Sequence, residues 1–303
     1  MTAYLLLGDV LSNLSAVENE VVDCIVTSPP YWGLRSYLPV DHPAKHLEIG
    51  QEPTPAAYVA RMLEVCRELK RVLKPSGTFF LNIGDSYYNY RPGNKGGMPG
   101  QTIHGGRLLD KPGKSEGCLR RSQKQEGLKD KDLVGIPWML AFALRDDGWW
   151  LRQNIIWNKP ACTPEKKLDR CTRSHEDVFL LTKAHNYYFD ADAIQEPTAD
   201  GTTTKLRRDV WSINPKPLHD AHFAVMPEEL AELCILGGCP PGGTVLDPFM
   251  GSATVGVVAH RHGRHFIGSD INEAYVDGVA LRRLQAAGVP IEFPLALEDS
   301  AAG

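Results

Sequence analysis

No two of the seven cysteines, at positions 24, 66, 118, 162, 171, 234 and 239, are spaced as a CxxC pair. That argues against a zinc ribbon, and the odd count argues against a disulfide framework, so reduced, buried thiols are expected. No apolar run approaches the roughly 20 residues that a membrane-spanning helix requires. The opening MTAYLLLGDV carries no basic stretch and reaches an acid at Asp9, so it does not read as a secretory signal and a cytoplasmic setting is expected. Bases do not exceed acids: 33 Lys and Arg stand against 37 Asp and Glu. The net charge of −4 announces no polyanionic partner, so any nucleic-acid surface must be local. There is also no internal repeat.

What is present is an ordinary globular composition, 43% hydrophobic and 23% charged over 303 residues. This length suits one large α/β domain with an insertion or small satellite better than two equal domains. Short apolar runs alternate with helical patterns, which favours a largely parallel sheet covered on both faces. Strands are expected at 4–7, 21–27, 78–83, 151–157, 178–182, 244–247 and 265–269, and helices at 57–73, 134–146, 227–236, 253–262 and 273–287. Pro75 and Gly77 are read as the stop signal of the first helix. The rhythm fails between 86 and 132, a Gly- and Pro-rich segment whose ten basic residues outnumber five acids. A second irregular stretch, 191–212, contains TTTKLRR, and 294–303 reads as a frayed tail.

Two strings far apart in the chain carry chemistry. In GGTVLDPFMGSATVG a strand ends in Asp247 and turns into a helix near Ser252, which places a carboxylate and helical N–H groups at the ligand-binding edge of an α/β sheet. The spacing does not match GxGxxG, so a pyrophosphate cradle fits less well than a donor bearing a free carboxylate. A second strand ends at Asp270, 23 residues beyond Asp247 and about where a ribose-binding acid belongs. A helix N-cap is the competing reading for Asp270. In VVDCIVTSPPYW an apolar strand runs into Ser28, Pro29, Pro30 and Tyr31. Proline offers a carbonyl without a competing N–H, so this turn presents oxygen acceptors suited to an exocyclic amine, with Tyr31, and Trp32 beside it, as flat stacking surfaces. A strand-ending turn with packed aromatics is the bland alternative.

Taken together, TSPPYW at 27–32 and DPFMGSATVG at 247–256 resemble the catalytic and donor motifs of the S-adenosylmethionine-dependent DNA amino-methyltransferases of the permuted β class. GDVLSNL at 8–14, VLKPSGTFFLNIGD at 72–85, GWWLRQNIIWNKP at 148–160, RSHEDVFLLTK at 173–183 and HFAVMP at 222–227 resemble further blocks of that family in the same order. The resemblance implies a Rossmann-like, circularly permuted α/β fold with a seven-stranded, mostly parallel sheet, one strand antiparallel, and an irregular insertion. It assigns donor contacts to Asp9, Asp247, Phe249, Gly251, Ser252 and Asp270, and the target base to Ser28, Pro29, Pro30 and Tyr31. Ala253 stands where such proteins often carry glycine, so the turn is expected to sit slightly differently.

On this basis residues 1–85 and 133–190 form the catalytic half, 213–293 the donor half, 86–132 a basic DNA-contacting insertion and 191–212 a target-recognition stretch. Arg107, Arg120, Arg121, Lys205, Arg207 and Arg208 are the candidate DNA contacts. The serine that opens the motif favours N4 of cytosine, with N6 of adenine as the alternative, in double-stranded DNA. A homodimer and a separate restriction endonuclease are candidate partners; a membrane and a metal are not. His175 and Glu176 read as structural or pocket-ordering residues. A non-catalytic DNA-binding protein on the same scaffold, and a protein or RNA methyltransferase, are the rivals.

Overall fold

The structure, a computed structural model, describes residues 1–89, 124–162, 165–166, 168–215 and 225–293. Its apolar runs pair into a nine-stranded sheet with the order β11-β1-β10-β9-β2-β3-β5-β4-β8. Here β1 is Ala3–Leu7, β2 Val22–Thr27, β3 Leu73–Ile83, β4 Trp150–Asn158, β5 His175–Thr182, β8 Val210–Ser212, β9 Thr244–Asp247, β10 His265–Asp270 and β11 Ile291–Glu292. All seven expected strands are present. The two additions, β8 and β11, are edge strips of three and two residues, too short to show an alternation. In this sheet only β5 runs against its neighbours. β6 (Glu196–Pro197) and β7 (Thr204–Lys205) form a separate antiparallel ribbon within the second irregular stretch.

Residues of the central strands alternate between two cores, as the two-residue period of a strand dictates. Phe79, Leu81, Phe179 and Leu181 face α1 (Val10–Ser15), α2 (Pro55–Val72) and α3 (Ile136–Asp146). Phe80, Val178 and Leu180 face α4 (Glu228–Gly238), α5 (Thr254–Arg261) and α6 (Leu281–Ala286). Phe79, Phe80 and Phe179 are essentially inaccessible, and each such burial stabilises by roughly 1.5–3 kcal/mol. Truncating Phe80 to alanine would therefore cost about 3–5 kcal/mol.

Pro75 and Gly77 do not stop the first long helix. α2 begins with Pro55 at its first position, capped by the Thr54 hydroxyl, and ends at Val72 because Leu73 is already extended and opens β3. Leu73 pairs with Val22 and Thr78 with Cys24, so the residues between them bulge out of register. Gly77 is required there, since a Cβ would come within 2.5 Å of the Leu73 side chain. The helix expected over 273–287 is likewise split into a π-helical stretch, Ala274–Ala280, and α6.

The insertion leaves and returns at one place. Tyr88 N–H donates to Asp132 O, Lys131 N–H to Tyr88 O and Val134 N–H to Ser86 O, which zips its two feet together. Its middle, with Arg107, Arg120 and Arg121, lies outside the described residues, as do His222 and the tail from 294. Among the described residues, no helix is long and apolar enough to cross a membrane.

Candidate active site

β2 and β9 pair directly, Cys24 with Val245 and Ile25 with Leu246, although some 220 residues separate them. The motifs that follow them therefore emerge side by side at the C-terminal edge of the sheet. The ends of β1, β3, β4 and β10 reach the same edge, and β5, being antiparallel, brings its N-terminal residues there. Ser28–Tyr31, Gly8, Asp9, Asp247, Phe249, Gly251, Ser252 and Asp270 all line one cleft of about 1750 Å³. That exceeds the roughly 300–1,000 Å³ of a single small-molecule pocket and suits two reactants.

On the donor side, Asp247 accepts from the Thr27 hydroxyl at 2.6 Å and from Phe249 N–H at 3.1 Å. Burial pushes its carboxyl up to about 7 against those hydrogen bonds. Asp270 accepts from Gly251 N–H at 3.0 Å and Asn272 N–H at 2.9 Å, and burial raises it to about 6. It thus organises the local turn and lines the cleft at once. It is not a helix N-cap, because the helical segment begins at Ala274, four residues further on, with Glu273 in the N-cap position and no side-chain cap.

Asp9 caps α1 through Oδ2, which accepts from Leu11 and Ser12 N–H. Its Oδ1 is buried and has no hydrogen-bond partner among the described residues, with Arg61 Nη2 3.6 Å away. An acceptor without a hydrogen bond, beside two acids whose carboxyls burial raises, fits a donor that carries hydroxyls and positive charge. Ser252 is buried and is held, with Thr254, by Arg283, which donates 2.6–2.9 Å bonds to Ser252 O, Ser252 Oγ and Thr254 Oγ1. Ala253 keeps the glycine-like backbone, at φ 55°, and is fully buried. The turn holds alanine in the left-handed region at a cost of about 1–2 kcal/mol.

On the opposite wall, the Tyr31 hydroxyl lies 2.9 Å from Glu176 Oε2, 3.1 Å from Ser28 Oγ and 3.3 Å from Asn82 Oδ1. The ring lies over Gly84, where a Cβ would approach Tyr31 Cε2 to 2.6 Å, so the residue that follows β3 must be glycine. Pro30 O accepts from the Tyr58 hydroxyl at 2.9 Å. Trp32 is a core residue whose Nε1 donates to Glu52 O at 2.8 Å, not a second stacking surface.

Glu176, at the start of β5, pairs with Lys159, which also sits 4.0 Å from the Trp157 ring centroid. Sequence reasoning read Glu176 as structural or pocket-ordering but did not find the bond to Tyr31, which the antiparallel strand creates. The remaining basic candidates stand off the cleft. Arg207 donates to Ile194 O and Gln195 O, while Lys205 and Arg208 both pair with Glu196.

A cleft at the strand ends, walled by two acids and a serine–tyrosine turn, defines a group-transfer site of the α/β class. Comparison with known proteins agrees. The DNA methylase family model matches residues 22–281. The type II methyltransferase M.SmaI of Serratia marcescens is 46% identical over 274 residues, covering 89% of this chain and 87% of that protein. Among solved structures, the cytosine-N4-specific PvuII DNA methyltransferase superposes with a TM-score of 0.65 at 20% identity, covering 93% of this chain and 86% of its own. TTHA0409 of Thermus thermophilus, solved with S-adenosyl-L-methionine, gives 0.61 at 20% identity, covering 97% and 100%. The chain belongs to the N6/N4 family of DNA methylases.

Proposed function

We propose that this DNA methyltransferase transfers a methyl group from S-adenosylmethionine to N4 of a cytosine swung out of duplex DNA, as the modification enzyme of a type II system. The observation that carries this is the meeting of Ser28–Tyr31 and Asp247 in one cleft, joined by the Thr27–Asp247 hydrogen bond. A serine hydroxyl at the head of the motif supports cytosine.

The donor, when bound, supplies an electrophilic methyl group on a sulfonium. Asp270 and Asp9 would accept its hydroxyl and amino hydrogens, and Asp247 would face its positive charge. The Ser28 hydroxyl and the turn's carbonyls would accept the hydrogens of the target amine, whose lone pair is otherwise delocalised into the ring. The Tyr31 ring would offset part of the cost of unstacking the base. Because the methyl group is already activated, holding the two reactants in line accounts for most of the catalysis asked of the protein. No cysteine is needed as a nucleophile, and Cys24, Cys66, Cys234 and Cys239 are buried.

The feet of the insertion, Tyr87–Asn89 and Asp130–Lys131, border the cleft, which supports 86–132 as a DNA-contacting segment. The 191–212 stretch carrying the β6–β7 ribbon is its partner in target recognition. Mass spectrometry of nucleosides from DNA treated with the protein and donor tests the assignment. N4-methylcytosine is expected; N6-methyladenine would replace the cytosine reading, and no modified nucleoside would leave a non-catalytic DNA-binding protein.

A further inference from the structure

Glu176 has a largely buried carboxylate, its side chain 18% exposed, that transfer chemistry does not itself require. It is bound by Lys159 Nζ, Tyr31 Oη at 2.9 Å and Asn82 Nδ2 at 3.2 Å. Burial alone would raise this carboxyl, but the Lys159 ammonium and the converging hydrogen bonds outweigh it and hold the group below its ordinary value. Burial and the adjacent carboxylate push the Tyr31 phenol well above its usual range, so it keeps its proton. Glu176 is thus an acceptor only, and Tyr31 has one proton to give.

The direction of the chain follows by elimination. Asn82 spends its amide N–H₂ on Glu176 and on Asp177 O at 3.3 Å, so it turns Oδ1, another pure acceptor, towards Tyr31. With acceptors on two sides, the Tyr31 hydroxyl donates to the nearer, Glu176. Its lone pairs are then left for the Ser28 hydroxyl, 3.1 Å away, which donates to it. The single Ser28 proton is committed to the protein, and the oxygen meets the cleft with lone pairs alone.

We propose that Glu176 is a positioning residue which, through Tyr31, fixes Ser28 as a hydrogen-bond acceptor, so that the cleft admits a base presenting an amino group and rejects one presenting a carbonyl at the same place. A uracil in place of cytosine, or hypoxanthine in place of adenine, would set oxygen against oxygen. The selectivity is built into the polarity of a chain whose anchor does not touch the base. This inference rests on the amino-methylation reading above.

The test uses the full chain, S-adenosylmethionine, and a duplex whose modified position has been mapped with the wild-type protein. In Glu176→Gln the anionic anchor is lost: the amide can donate to Tyr31, whose own proton is then shared between Asn82 Oδ1 and Ser28 Oγ, so Ser28 is no longer fixed as an acceptor and can donate into the cleft. The expected result is a loss of about tenfold or more in kcat, the scale of one misdirected hydrogen bond, with donor affinity and melting temperature near wild type. The carbonyl counterpart offers no amine to methylate, so preference is read as duplex affinity, and the preference for binding the amino-bearing duplex should collapse in parallel. Tyr31→Phe, which keeps the ring and cuts the chain, should show the same loss, and the double variant should be no worse than either single one. Wild-type kcat and base preference in Glu176→Gln, or additive losses in the double variant, would overturn the inference. A wild-type protein that binds donor but yields no methylated nucleoside would instead overturn the reading beneath it.

Discussion

Thr27 Oγ1 lies 2.6 Å from Asp247 Oδ1, the shortest route by which the two halves of the cleft are tied. Thr27 ends β2 and is fully buried, so its hydroxyl has no water to turn to, and Asp247 is scarcely more accessible. The bond favours the charged form of the acid and sets the distance between the Ser28 turn and the Asp247 turn across the cleft.

Thr27→Val keeps the shape and removes the donor hydroxyl. The buried acid then loses a hydrogen bond of the charged class, worth about 1.5–3 kcal/mol, and its carboxyl rises further. Chemical denaturation should show a loss of that order, while Thr27→Ser should recover most of it. An unchanged midpoint in Thr27→Val would show that the bond does not hold the acid.

The two cleft acids make donor binding depend on pH. Burial raises Asp247 to about 7 and Asp270 to about 6, against roughly 3.9 for an unfolded aspartate. Between those values the folded chain binds more protons than the unfolded one, so the donor-free protein should lose stability as pH rises from about 4 to 7 and level off above. Donor binding should run the other way. Ionised acids are better partners for its hydroxyls and positive charge, so Kd should fall by about tenfold between pH 5.5 and 8. Calorimetry in buffers of different ionisation enthalpy should detect proton release near pH 6.5. A flat Kd with no released proton would remove the acids from the donor site.

Asp247→Ala and Tyr31→Ala should fail differently. The first removes a carboxylate whose burial already burdens the free protein, so folding should survive while donor affinity falls beyond calorimetric detection. The second leaves the donor wall intact, so donor affinity should hold within about twofold while turnover drops by at least about a hundredfold, the scale of lost positioning. Calorimetry on one and single-turnover rates on the other separate the roles, and normal behaviour in either variant would remove that residue from its wall.

Much of this architecture was legible because the central strands leave continuous apolar runs and the two motifs end them. β2 is buried at every position, which is why VVDCIVT reads as a strand without alternation. The Leu73–Gly77 bulge was not legible, because proline and glycine signal a helix stop in most contexts and only pairing with Val22 turns them into strand. The π-helical stretch at 274–280 differs from an α-helix by one hydrogen-bond step, which apolar spacing cannot resolve. Ala253 adopts the left-handed backbone that glycine favours, a conformation no residue pattern announces, and Arg283 clamping Ser252 and Thr254 holds it in place. Glu176 was read only as structural or pocket-ordering, because its partners Tyr31 and Lys159 follow other strands, β2 and β4, and are joined to it only by the fold.

The basic candidates near the β6–β7 ribbon divide by what they already hold. Lys205 and Arg208 pair with Glu196 on an exposed surface, where an ion pair is worth little and phosphate can replace it. Arg207 instead donates to Ile194 O and Gln195 O, carbonyls that would otherwise lose their partner. Replacing Lys205 or Arg208 with alanine should therefore weaken DNA binding at all sequences and lower the salt slope by about one each, with stability unchanged. Arg120→Ala with Arg121→Ala should act in the same way, by about two. Arg207→Ala should cost about 1–3 kcal/mol of stability, with any loss of DNA affinity independent of salt. Binding isotherms at two salt concentrations, set beside thermal melts, decide the matter. A salt slope that Arg207→Ala lowers and Arg208→Ala leaves alone would reverse the assignment and place the phosphate backbone against the inner face of the ribbon.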